Sequence, residues 1–115
     1  MVVYISEAHP SDSPRARAGS NKNVLDPTTF EQRVKLAETT RTHLKLTVPV
    51  LIDGMDDKVA AAYAAHPDRL YIVGTDGKIA YQGGRGPRGF KIDEMAVRLS
   101  TLLKPTAPPP TPPPK

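Results

Sequence analysis

The 115 residues contain no cysteine. Disulfides, thiolate metal sites and a cysteine nucleophile are thereby excluded within them. Zinc held by imidazoles alone needs clustered ligands, and His9, His43 and His66 fall in three different elements. Neither a metal nor a bound cofactor is expected. No apolar run approaches the ~20 residues of a membrane-spanning helix, and the N-terminus lacks the charged start and long apolar stretch of a signal peptide. A cytoplasmic location is the default. Aromatic residues make up only 5% of the chain. They interleave neither of its basic clusters, Arg15 with Arg17 and Arg85 with Arg88 and Lys91, so nucleic-acid binding has little support. The net charge of +4 reads as solvated surface.

What is present begins at the first dozen residues. Val2, Val3, Tyr4 and Ile5 form an uninterrupted apolar run, the pattern of a buried parallel strand. Ligand crevices in open α/β sheets lie beyond the carboxyl ends of such strands. Glu7 and His9 follow directly, on one side of the chain if its period of two continues. A carboxylate beside an imidazole can fix its tautomer and raise its basicity, which makes the pair a candidate for moving protons. By itself the pair is weak, because polar triplets at strand ends are common.

A polar stretch from Pro10 to Asp26 reads as a long surface loop. A helix is expected from Thr28 or Thr29 to Leu44. Thr28 with Glu31 and Thr29 with Gln32 both have capping-box spacing, and Phe30, Val34 and Ala37 make an apolar stripe. Val48 to Asp53 reads as a second strand closed by Gly54. Asp56 or Asp57 should cap a second helix carrying Val59, Ala60, Tyr63 and Ala64. Strands over Arg69–Gly74 and Lys78–Gln82 flank Asp76-Gly77, the dipeptide of a type I′ hairpin turn. The glycine-rich stretch Gly83 to Gly89 lacks the Gly-Lys-Ser/Thr ending of a phosphate-binding loop. It reads instead as a tight turn letting backbone pass close to a neighbour. A last helix over Asp93–Leu103 should bury Met95, Leu99 and Leu102. Residues 105–115 hold seven prolines and read as a disordered polyproline II tail, leaving 1–104 as one domain. The order is β-α-β-α-β-β-α, an α/β fold whose mixed sheet ends in a hairpin and a helix.

Three blocks carry a resemblance. Tyr4-Ile5-Ser6-Glu7-Ala8-His9-Pro10-Ser11-Asp12 resembles the Tyr-Ile-x-Glu-Ala-His-x-Ser-Asp segment of the iodothyronine deiodinase family. Arg69-Leu70-Tyr71-Ile72-Val73 and Ile79-Ala80-Tyr81-Gln82-Gly83-Gly84-Arg85-Gly86-Pro87 follow in the family's order, so the likeness runs to about residue 103. It implies a thioredoxin-like fold and the reductive removal of a halogen from an aromatic ring, with a thiol as external reductant. It also implies one more β-α unit ahead of Tyr4, carrying a selenocysteine or cysteine nucleophile. The fold expected for this chain is therefore an incomplete thioredoxin-like one, the C-terminal part of a longer protein. A UGA codon read as a stop would displace the start to Met1. In that frame Glu7 and His9 relay a proton to the ring carbon, Tyr4 belongs to the same network, and Arg69 pairs with the substrate's charged end. Pro67, two residues before the third strand, becomes the candidate for a cis peptide bond.

The family pattern is not complete. Ser13-Pro14 stands where the family has Gly-Trp, and Pro27 stands where it has a histidine that helps hold substrate. Two readings follow. One is a deiodinase-type oxidoreductase acting on a halogenated aromatic, with these residues inactive alone. The other is a catalytically inactive thioredoxin-like remnant or binding module. In either, an incomplete sheet would expose an unpaired edge through which two copies could pair.

Overall fold

Val2, Val3 and Tyr4 find their partner in a second run of the same β-branched and aliphatic character. In the computed structural model, which describes residues 1–8, 10, 24–105, 108 and 110–114, β1 (Val2–Tyr4) lies parallel to β2 (Val50–Ile52). Val2 faces Val50, Val3 faces Leu51 and Tyr4 faces Ile52. The ladder extends at both ends, with the Val2 amide donating to the Pro49 carbonyl at 2.9 Å and the Asp53 amide to the Tyr4 carbonyl at 2.8 Å. Parallel strands need a long crossover, and α1 (Phe30–His43) lies within it.

Thr29 is the N-cap of α1, its hydroxyl accepting from the Gln32 amide at 3.2 Å. The Gln32 side chain reaches back to the amide of Thr28, at 2.8 Å, so the box closes one residue earlier than Thr29. The expected stripe is shifted. Arg33 and Ala37 are the buried residues of this helix, whereas Phe30 is 44% exposed and Val34 only half-buried. The i, i+4 pair facing the sheet begins at Arg33, which tolerates that place because its guanidinium is hydrogen-bonded there.

The second helix, α2 (Lys58–Ala62), is one turn and a half long and buries Ala60. Neither Asp56 nor Asp57 caps it. Asp57 occupies the N-cap position in a left-handed conformation, φ 55°, and makes no capping bond. The cap comes from Asp53, whose two carboxylate oxygens accept from the amides of Val59 (3.0 Å) and Ala60 (2.9 Å).

β3 (Tyr71–Val73) and β4 (Ile79–Gln82) form the antiparallel hairpin. The connection is not type I′. Gly77 alone takes positive φ, 78°, and its amide donates to the Gly74 carbonyl at 3.0 Å. The Gly74 amide in turn donates to the Lys78 carbonyl at 2.8 Å. That is a three-residue loop, in which only the residue after the turn must be left-handed.

The strands form two two-stranded sheets, β1 with β2 and β3 with β4, rather than one mixed sheet. Each strand has only three or four residues, and β1 has a strand on one side alone, so Val2 to Ile5 are half-buried instead of buried. The last helix, α3 (Ile92–Leu103), has no buried residue. Met95 is half-buried, and Leu99 and Leu102 are 40% and 42% exposed, so the expected core stripe is not enclosed. The helix is tied down by polar contacts, Tyr81 Oη donating to Glu94 at 3.2 Å and Arg98 Nε to the Ala80 carbonyl at 3.3 Å. Among the described residues no helix is long and apolar enough to cross a membrane.

Candidate functional site

The chain leaves β1 at Tyr4 and carries Glu7 three residues further on. Tyr4 Oη is buried with no hydrogen-bond partner among the described residues. A buried phenol left unpaired is costly, so this hydroxyl is held ready for a partner. Glu7 is half-buried. Burial pushes its carboxyl above the ordinary value, and the negative charge of Asp26 pushes it further the same way. A carboxyl so placed holds its proton at a pH where an exposed glutamate has lost it, as an acid in catalysis must. Pro10 is fully buried nearby in sequence and pins the end of this segment. His9 lies outside the described residues. Sequence reasoning missed Asp26, whose only signal was its charge at the far end of the loop.

Arg69 lies in a separate hollow of about 340 Å³, lined by Ala60, Ala64, His66, Arg69 and Arg85. Neither Tyr4 nor Glu7 lines it. The Arg69 Nε is buried and has no hydrogen-bond partner among the described residues. Arg85 Nε donates to the His66 carbonyl at 2.9 Å, holding the glycine-rich loop against the segment before β3. The His66–Pro67 bond is cis, and so is Gly86–Pro87. The loop does let backbone approach closely. Gly83 and Gly86 amides donate to the carbonyls of Leu70 (2.8 Å) and Asp68 (3.0 Å), and a Cβ on Gly86 would stand 1.5 Å from Asp68 Oδ1. A larger hollow, about 460 Å³, is lined by the consecutive residues Phe90 to Glu94 alone, without a converging side chain from another element.

Between these two places runs a polar network that sequence reasoning did not find. Arg33, 4% exposed, donates through Nη1 to the carbonyls of Asp53 (3.1 Å) and Gly54 (2.7 Å), and its Nη2 lies 3.1 Å from Asp57 Oδ1. Asp53, 1% exposed, caps α2. Together they fasten α1, the end of β2 and the start of α2 at one point. The fastening is structural: both charged groups are spent on backbone.

The family model described as iodothyronine deiodinase matches residues 1–102, which include all three sequence blocks named above. Thyroxine 5-deiodinase of Gallus gallus is 37% identical over 99 residues, covering 86% of this chain and 37% of that protein. The protein of the same name from Sparus aurata is 40% identical over 98 residues, 83% of this chain and 34% of its own length. That of Homo sapiens is 36% identical over 102 residues, with shares of 86% and 32%. The chain spans about a third of the length of these relatives.

Proposed function

Because this chain belongs to the iodothyronine deiodinase family, we propose that it forms the proton-handling and substrate-anchoring part of a reductive dehalogenase for an iodinated aromatic compound. The observation that carries this reading is Glu7, a half-buried carboxyl held protonated by burial and by Asp26 at the position where the family segment has its glutamate. The relatives named thyroxine 5-deiodinase support the substrate class. Pro27 in place of the family's histidine argues against extending it to thyroxine itself.

The 115 residues hold no cysteine, so the reading places the selenol or thiol nucleophile outside them, on a further β-α unit of a thioredoxin-like fold. The selenolate or thiolate takes the iodine from the ring carbon, and the carbon takes a proton in exchange. Glu7, with His9, delivers that proton, and Tyr4 is the hydroxyl through which the two are linked. The selenenyl or sulfenyl iodide left behind is reduced by an external thiol, releasing iodide. Arg69 binds the charged end of the substrate, a carboxylate suited to a guanidinium fork.

The test is NMR titration of the chain with an iodothyronine, alongside an iodide-release assay in dithiothreitol. Shifts at Tyr4, Glu7 and Arg69 with no iodide released are expected. Absence of shifts at all three, or turnover by the chain alone, overturns the reading. The missing cysteine also favours a second reading, a catalytically inactive binding module, for which a complete reading frame without any selenocysteine or cysteine codon is the distinguishing result.

A further inference from the structure

The hollow beside α2 contains more positive charge than one substrate anchor needs. Arg69 and Arg85 both line it. Two guanidiniums in one small hollow repel each other unless an anion lies between them. Among the described residues the ion pairs are Arg33 with Asp57 and Lys58 with Asp56, and neither Arg69 nor Arg85 takes part. The nearest acid in sequence is Asp68, and its Oδ1 is buried against Gly86 without a hydrogen bond to either arginine.

Arg85 is also fixed in place. Its Nε is used on the His66 carbonyl, so its remaining N–H donors, on Nη1 and Nη2, are those without a partner among the described residues. The loop bearing it is fastened on both sides, through the Gly83 amide to Leu70 and the Gly86 amide to Asp68. A donor edge held by its backbone neighbours binds an anion with less ordering cost than a mobile arginine. The methyl groups of Ala60 and Ala64 supply the apolar part of the lining.

We propose that Arg85 is a second carboxylate anchor, so that the hollow takes the acid end of an aromatic carboxylate between two guanidiniums while the apolar body lies along Ala60 and Ala64. This rests on the substrate-anchoring part of the proposed function and adds Arg85 as the residue that sets the preference for an acid over a neutral aromatic. The experiment is calorimetric titration of the chain and of R69A, R85A and R85K with 4-hydroxy-3,5-diiodobenzoate, its primary amide, and 4-hydroxybenzoate. The acid should bind the unaltered chain at least about tenfold more tightly than the amide, and R85A should lose about tenfold for the acid with little change for the amide. R85K should recover only part of the loss, because an ammonium keeps the charge but not the fork. Matching melting temperatures for R85K and the unaltered chain show that the loop is intact.

Equal affinity of R85A and the unaltered chain for the acid overturns the inference, and a loss confined to R69A leaves the proposed function standing with one anchor. No discrimination between acid and amide by the unaltered chain also overturns it. Binding of 4-hydroxybenzoate with the same dependence on Arg85 supports the second anchor even where the dehalogenase reading fails its iodide test.

Discussion

Replacing Asp53 by alanine should damage the fold more than any change at the exposed acids around it. Asp53 is 1% exposed, and its two oxygens accept from the Val59 and Ala60 amides at 3.0 and 2.9 Å. Losing a helix N-cap costs about 0.5–2 kcal/mol. A buried amide left without an acceptor costs about 1–3 kcal/mol, and Ala60, 8% exposed, is the one that water reaches least. Val59 is half-buried and regains water more readily. The sum is about 2–4 kcal/mol, a large share of the ~5–15 kcal/mol that holds a domain together. For a domain near 100 residues each kcal/mol moves Tm by about 4–8 °C, so D53A should melt roughly 10–25 °C lower. D53N keeps one acceptor and should lose about half as much. Far-UV circular dichroism melts at neutral pH measure both. A fall in D53A of less than about 3 °C refutes the assignment of Asp53 as the cap of α2 and the clamp at the end of β2.

Arg33→Met keeps a long apolar stem but removes the donors to the Asp53 and Gly54 carbonyls, and should lower the urea midpoint by an amount worth about 2–3 kcal/mol. An unchanged midpoint contradicts the structural role given to that guanidinium. Glu7 has its folded pKa raised above the ordinary 4.5, so its charge costs stability above the folded pKa, and the cost vanishes below the unfolded one. Glu7→Gln should therefore melt higher than the parent near pH 7, by less than about 1 kcal/mol for so exposed a group. The difference should close as the pH falls to 4.5. A gap that widens toward acid pH would reverse the sign of the assigned shift.

Local rules made much of the fold legible in the sequence. Thr29 and Gln32 announced the start of α1, and the apolar runs around Asp76-Gly77 announced the hairpin, because both signals are contained within a few residues. The failures were at positions decided by partners distant in sequence. Arg33 faces the sheet because carbonyls twenty residues away accept from it, which no helical periodicity reveals. Asp53 outcompetes Asp56 and Asp57 as a cap because the chain turns its carboxylate under α2, while left-handed Asp57 is directed to Arg33. The stripe of α3 satisfies the spacing of a buried face, yet nothing among the described residues covers it. For the site, the motif drew attention to Glu7 and Arg69. Asp26 and Arg85 emerged only once the fold had brought them beside those residues.

The central claim is that these residues serve a nucleophile they do not contain, and the reading frame ahead of the Met1 codon tests it most directly. Sequencing about 200 bases upstream spans a βα unit, a part of the roughly 30-residue βαβ motif. The account predicts a frame that continues in register through a TGA or cysteine codon, flanked by an apolar strand and a helical pattern. A frame closed by TAA or TAG immediately before Met1 contradicts it.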